Sequence, residues 1–272
     1  MTKTVRDSSW SFATPRDASL SPQEIDTACQ MLADFLPTIV EFKAVDRFTG
    51  PAILVEPFSE TWVRKMATRD ILLHIMDYFK GARRTYATRE TLPLPSPALS
   101  SYIISQATSE ADVPTFARLF VEFTEDDPIV CTYDGAVSVM RDAVRNKQVW
   151  YCRVDGTIVG YILIGCKTPR TVAIRNVYTA RAYRRRGIAE ALVRAVTRYY
   201  LGAEPLGFEG APEGGPEGGI KEEIVLSVDD PVAWRVYKRC GFMLDDDARD
   251  PKNGKIGWFA FMWRGVEPVS EK

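Results

Sequence analysis

The sequence predicts an α/β fold, and three stretches carry the prediction. Val172 to Thr179, VAIRNVYT, is short and rich in β-branched and aromatic residues, so it reads as a strand. A basic turn follows it, AYRRRGIA from Ala182 to Ala189, and then Ile188, Ala191, Leu192, Ala195, Val196 and Tyr199 fall at i, i+3, i+4, i+7, i+8 and i+11. That spacing is one face of an amphipathic helix. The second stretch, WYCRVDGTIVGYILIG from Trp150 to Gly165, is two strands around Asp155-Gly156, a hairpin signal. In the third, IVLSV (Ile224 to Val228) precedes Asp230 as a helix cap with Pro231 at the first helical position. Ala233, Val236, Tyr237 and Cys240 share that helix's face, and Gly241 stops it.

The remaining elements follow in chain order. Residues 1 to 18 are polar and order only if docked. Ser21 and Glu24 form a capping box with Pro22 at the first helical position, and Ile25, Ala28, Cys29, Leu32, Phe35 and Leu36 supply a buried face until Pro37 ends or kinks the helix. Ala52 to Val55 reads as a short strand between Pro51 and Pro57. A second helix is expected from Ser59 through Trp62, Val63, Met66, Leu73 and Met76 to Phe79, ending at Gly81. The prolines of TLPLPSPALS, residues 91 to 100, resist helix and sheet, which puts the domain boundary there: an accessory, mainly helical region over 1–100 and a second domain over 101–272. Beyond it, Tyr102 to Ala107 reads as a strand and Ser109 caps a helix through Val113, Phe116, Ala117, Phe120 and Phe123. The acidic turn TEDDP breaks that helix, and another spans Ala136 to Asn146. GAEPLGFEGAPEGGPEGG, residues 202 to 219, has too little apolar surface to order itself and reads as a flexible insertion. Strands around Phe242 to Leu244 and Gly257 to Trp263 close the chain.

Composition narrows the function. With 46% hydrophobic residues in 272 there is ample material for a core, and 35 Lys+Arg against 36 Asp+Glu disfavours wholesale nucleic-acid binding. Five cysteines, Cys29, Cys131, Cys152, Cys166 and Cys240, are spread without a CxxC pair and read as reduced, buried thiols of a cytoplasmic protein. No apolar run approaches the length of a membrane span, so a soluble chain is expected.

The arginines of AYRRRGIA sit at a helix start, where free N–H groups and the positive end of the dipole favour an anion by roughly 0.3–1 kcal/mol. Guanidinium groups add charge-assisted hydrogen bonds to phosphate, and glycine admits a ligand close to the backbone. A solvated charge run and a nucleic-acid or nuclear-localisation segment are the competing readings; the helix context argues against the latter. There is no GxxxxGK[ST] loop and no GxGxxG in the turn.

The order of elements and two signatures resemble the GNAT (Gcn5-related N-acetyltransferase) superfamily over about residues 102–264. VYTARAYRRRGIAEAL is similar to its strand–loop–helix motif, with Arg184, Gly187 and Ala189 in the [Q/R]-x-x-G-x-[G/A] positions. DPVAWRVYKRCGF is similar to its N-x-x-A-x-x-x-Y-x-x-x-G-F, filled by Ala233, Tyr237, Gly241 and Phe242, with Asp230 where asparagine is usual. The resemblance implies the GNAT fold, a mixed, mostly antiparallel twisted sheet flanked by helices. It implies acetyl-CoA as co-substrate, with no metal. Amides from Arg185 through Arg186, Gly187 and Ile188 to Ala189 would cradle the pyrophosphate, and main-chain groups of Val177 and Thr179 would take the pantetheine arm. A family bulge near Val177 would turn a backbone N–H toward the thioester carbonyl. Arg184 and Asp230 complete the expected cofactor-binding set.

Acetyl transfer needs a neutral amine, a polarised carbonyl and a proton for the leaving thiolate. Tyr237, protonated at neutral pH, is the expected general acid, although it also fits as a core aromatic. The base is harder to assign. His74 is the lone histidine and reads as a packed helical residue outside the matched domain; Ala173 stands where some members carry a glutamate. Asn176 or Tyr178 could hold a relay water, or simply pack. Glu122, Glu125, Asp126 and Asp127 would attract a cationic acceptor, or form a solvated turn. The first hundred residues, with Trp62 read as exposed and the basic GARR turn at 81–84, could be a lid or a brace. The expected acceptor is a small-molecule primary amine, with a homodimer as the assembly to consider and neither nucleic acid nor membrane as partner. An inactive CoA-binding sensor or scaffold, a protein-amine acetyltransferase and a protein–protein adaptor are the alternatives.

Overall fold

The structure, a computed structural model, describes residues 1, 9–14, 19–76, 80–125 and 130–269. Two compact units emerge, one of residues 1–84 and 259–272, the other of Thr85–Trp258. The boundary therefore falls at 84/85 instead of within residues 91–100, and the C-terminal strand belongs with the N-terminal unit. The proline-rich stretch is tied down through its backbone: Arg198 Nη1 donates to Pro93 O at 2.8 Å and Arg194 Nη1 to Leu94 O at 3.1 Å.

In the first unit, β1 (Trp10–Ser11) pairs in parallel with β2 (Arg47–Pro51), and α1 (Pro22–Phe35) packs against α2 (Ala52–Ala67). The Ser21/Glu24 capping box is formed, and α1 buries Ile25, Cys29 and Ala33, leaving Phe35 exposed. Helix α2 starts at the residue expected to open a strand. Pro51 caps it and Pro57 lies inside it, while Leu54, Val55, Phe58, Trp62 and Met66 fall on one buried face, so apolar periodicity overrides the proline punctuation. Trp62, read as exposed, is fully buried, with its ring stacked 6.2 Å from Phe58. The expected helix stops at Ala67, and β3 (Leu73–Ile75) takes its place; Phe79 lies outside the described residues. His74 is thus on a strand, exposed, with Nε2 3.1 Å from Glu267 Oε1. The GARR segment is part of β4 (Lys80–Ala87), in which the chain passes to the second unit, and Arg84 lies 3.5 Å over the Phe261 ring. The last strand, β10 (Trp258–Pro268), returns to pair antiparallel with β2 and β3.

The second unit is a sheet with helices on both faces. Strands β5 (Ile103–Gln106), β6 (Val149–Val154), β7 (Thr157–Gly165) and β8 (Thr171–Thr179) are successively antiparallel, and β9 (Glu223–Val228) joins β8 in parallel. Residues 158–165 of β7 are buried throughout because both faces are covered. Asp155 (φ 48°) and Gly156 (φ 77°) form the β6–β7 turn in the left-handed geometry that matches strand twist. On one face α3 (Val113–Thr124) and α4 (Tyr133–Arg145) cover Tyr161, Leu163 and Tyr178; on the other, α5 (Ile188–Tyr200) covers Trp150, Ile162, Val172 and Ile174. Helix α6 (Pro231–Arg239) follows β9. Residues 242–244 are buried but form no strand. The 202–219 tract is less free than its composition suggests: Arg198 Nε donates to Pro205 O at 2.8 Å, and Phe208 sits 6.2 Å from the Trp150 ring. All five cysteines are free thiols; Cys29, Cys152 and Cys240 are buried, Cys131 is half-buried and Cys166 exposed.

Candidate active site

Strands β8 and β9 are hydrogen-bonded over Thr171–Ile174 and Glu223–Leu226 only. Just past that point β8 bulges: Leu163 stands opposite Asn176 and Ile164 opposite Ile174, so Arg175 is the extra residue. The bulge lies before Val177, where it was expected. Its effect is to turn β8 away from β9, so that the edge of residues 176–179 has no β9 partner. Val177 packs toward α5, whereas Tyr178, on the opposite face, packs toward α3. Thr179 is nearly buried; its carbonyl accepts from Arg184 Nε at 3.2 Å, and its Oγ1 is a buried oxygen without a partner.

The turn from β8 into α5 has a distinctive backbone. A single 3-10 turn (Arg181–Tyr183) leads to Arg184 in extended geometry, Arg185 at φ 62° and Gly187 at φ 83°, the N-cap of α5. Gly187 is favoured by its left-handed φ; a Cβ there would also press on the tip of the Leu99 side chain, 2.9 Å from Cδ2. The first i→i−4 bond of α5 runs from Ala191 N–H to Gly187 C=O at 2.9 Å. The N–H groups of Ile188, Ala189 and Glu190 therefore lie ahead of the helical ladder with no intrahelical carbonyl to receive them. Arg184, Arg185 and Arg186 are exposed beside them. The Arg184 guanidinium sits 5.4 Å over Tyr178, that of Arg186 5.2 Å over Tyr183, and Tyr102 Oη donates to Arg186 C=O, pinning the turn to the segment before β5. Unpaired amides, a dipole end and three guanidinium groups make a cradle that fits a pyrophosphate.

At the end of α3 Glu122 and Glu125 are both engaged, the Arg181–Glu125 pair being solvent-exposed. Tyr178 Oη donates to Glu122 Oε2 at 2.8 Å, and Arg181 pairs with Glu125. Burial first, and then the Glu122 carboxylate, hold the Tyr178 phenol above its ordinary pKa. Asp126 and Asp127 lie outside the described residues. Neighbouring Tyr161 is fully buried with an unpartnered hydroxyl, its pKa raised by burial. Helix α6 starts at Asp230, whose Oδ1 accepts from Val232 N–H at 2.8 Å, so the expected cofactor residue is engaged as a cap. Tyr237, half-buried on α6, lies edge-on 5.9 Å from Phe242. Burial pushes its pKa up strongly, and Cys240 and Asp230 add to the shift. Helices α5 and α6 are joined through Glu190, which takes Arg194 at 2.9 Å and Arg239 at 2.6 Å.

Residues 145–244 match the family model described as acetyltransferase (GNAT) domain. This segment is a GNAT acetyltransferase domain. The match spans the splayed strands, the basic turn, α5 and α6. No curated protein sequence matches the chain. Among solved structures, the chain is similar to a GCN5-related N-acetyltransferase from Kribbella flavida, at 14% identity over 90% of this chain and 76% of that one, with a TM-score of 0.50. Another, from Sphaerobacter thermophilus, is 18% identical over 83% of this chain and 60% of that one, with a TM-score of 0.46, so this chain spans under two thirds of that protein's length. At these identities the likeness is one of fold. GNAT acetyltransferases use acetyl-CoA as co-substrate with an acceptor. Among the described residues no group of three or more His, Cys, Asp or Glu could hold a metal ion, and no helix is long and apolar enough to cross a membrane.

The GNAT domain's sequence signatures located the turn and α6, but not the anchoring of the turn. The Glu122–Tyr178 and Tyr102–Arg186 bonds join residues 56 and 84 apart, and no local pattern announces them.

Proposed function

We propose that the protein moves an acetyl group from acetyl-CoA to the primary amine of a small molecule, by direct attack in a ternary complex. The observation that carries the reading is the splay of β8 from β9 beyond Ile174, ending at the doubly left-handed arginine turn. Amides from Arg185 to Ala189 with the Arg184–Arg186 side chains bind the pyrophosphate, and the free edge at Val177 and Thr179 takes the pantetheine arm. Acetyl-CoA supplies the activated thioester. Tyr237 holds a proton at its Oη for the departing thiolate: burial keeps it protonated at neutral pH, and it sits on the helix that leaves β9. Glu122, whose carboxylate accepts only from the neutral Tyr178 hydroxyl, gives the α3 end a negative charge that favours a cationic amine.

Calorimetric titration with acetyl-CoA, followed by a panel of amines with thiol release as readout, tests this. Tight binding with amine-dependent release is expected. Binding without release would favour a CoA-binding sensor, and release with peptide amines alone would move the acceptor class to proteins. Gly187→Asp puts a negative side chain into the cradle at a strained φ, and acetyl-CoA affinity should fall at least tenfold, about 1.4 kcal/mol. Unchanged affinity would remove the pyrophosphate assignment.

A further inference from the structure

The end of the second unit's sheet away from the arginine turn carries another concentration of positive charge. There β6 and β9 begin, β7 ends and β8 begins, and α4 terminates. The arginine turn follows the far end of β8, a strand of 9 residues, so the two ends are roughly 25–30 Å apart at about 3.3 Å per residue. A cleft of about 510 Å³ opens at this end, lined by Lys147, Lys167, Lys221, Arg145 and Glu217 among others.

We infer that this cleft is a second anion site, taking a phosphate-bearing small molecule. Lys221 is only 4% exposed, and its Nζ donates to Gly218 C=O at 2.6 Å. Lys167 Nζ donates to Asn146 C=O at 3.3 Å, at the C-terminus of α4. These acceptors are neutral carbonyls. Each ammonium has three N–H donors, so both lysines keep spare donors. Arg145 is already matched by Glu110 at 2.8 Å. The remaining lining groups are three ammoniums against the one carboxylate of Glu217, an excess of two positive charges. Burial chiefly presses Lys167 toward its neutral form; Glu217 pulls the other way, and Lys221 and Lys147 add smaller pushes in the same direction as burial. Lys221 is buried and Lys167 half-buried, while Lys147 is exposed at the rim; an excess of positive charge on the buried side of the cleft is costly, and a dianion hydrogen-bonded to the spare donors offsets that cost. The excess matches a phosphate monoester. A cleft of about 510 Å³ exceeds what a bare ion fills and is of the size of small-ligand pockets, about 300–1,000 Å³. This inference does not depend on the acetyl-CoA reading.

The test is lysine footprinting by reductive methylation of the full chain, read peptide by peptide, with inorganic pyrophosphate as the probe and potassium chloride at matched ionic strength as control. The arginine turn, residues 180–189, contains no lysine, so probe bound there is silent. Millimolar pyrophosphate should slow labelling of Lys147 and Lys167 at least threefold while exposed Lys43 and Lys252 are unaffected. In Lys147→Gln the protection at Lys167 should weaken. Equal labelling with and without the probe, or the same slowing by the chloride control, would overturn the site. Protection by a single-stranded oligonucleotide but not by pyrophosphate would overturn its assignment to a small molecule.

Discussion

Tyr237 and the buried tyrosines around the sheet carry chemistry that single substitutions can read. Replacing Tyr237 by Phe keeps the ring against Phe242 and removes only the hydroxyl. Turnover should fall roughly 10²-fold, in the range of a lost general acid, with acetyl-CoA affinity within twofold by calorimetry. An undiminished rate would leave Tyr237 as a core aromatic. The same residues set an alkaline limit on stability. Burial raises the phenols of Tyr161, Tyr178, Tyr200 and Tyr237 above their ordinary value near 10, Tyr200 to about 12. A phenol whose folded pKa exceeds its unfolded one binds its proton more tightly in the native state. The stability it contributes is fully present below the unfolded value and is lost as pH rises through the folded one. The melting temperature should therefore be insensitive to these groups at pH 8–9 and decline from about pH 10 upward, with tyrosinate absorbance rising as the protein unfolds. Tyrosinate appearing well before unfolding would contradict the burial. The sequence made Tyr237 legible because helical spacing put it on an apolar face. It hid the burial of Trp62, because the prolines at 51 and 57 mask the helix start at Ala52 that sets which face Trp62 lies on.

Among the elements, those with punctuated ends were readable. The β6–β7 hairpin carries its turn residues in plain view, α5 opens at Gly187, and α6 has a cap in Asp230 and a stop in Gly241. Asp230 illustrates the energetic side: its carboxylate takes Val232 N–H and Pro231 opens the helix. Asp230→Ala should destabilise the protein by about 1 kcal/mol in urea denaturation, whereas Asp230→Asn, which can still cap, should cost only a few tenths. Equal effects of the two would mean the residue acts through charge. Helix α2 was illegible for a physical reason. Proline removes a donor, which breaks most helices, but the strong apolar stripe from Leu54 to Met66 outweighs one lost bond at Pro57. The three residues of β3 give too short a pattern to read, and they are held by pairing with Val266, Glu267 and Pro268, remote in sequence. The splay of β8 from β9, on which the proposed site rests, has no local signature: it depends on a one-residue register shift between strands.

At the scale of the whole molecule, the first unit is discontinuous: residues 1–84 and 259–272 form it together. A proline-rich stretch made residues 91–100 look like the seam. In fact these residues are bonded to α5, and the two chain passages occur inside β4 and at the start of β10. Met262 and Val266 of β10 are part of the core that holds Phe48, Phe58 and Trp62. Truncation after Trp258 should remove β10 from β2 and β3 and leave residues 1–84 open to protease, while residues 85–258 keep their resistance, as read by limited proteolysis with mass mapping. Protection of residues 1–84 in the truncated chain would show that β10 is dispensable.

A discontinuous unit also constrains the order of events on the ribosome. The segment bearing Phe48, Phe58 and Trp62 leaves the exit tunnel long before its partner strand has been translated, and at about 5–20 residues per second the interval is tens of seconds at the slow end. During that wait its apolar surface is without its cover, while the acetyltransferase domain can already close on itself. A nascent chain of this protein is therefore expected to gain its GNAT domain first and to need shielding, by a chaperone or by the tunnel's vicinity, at its own beginning.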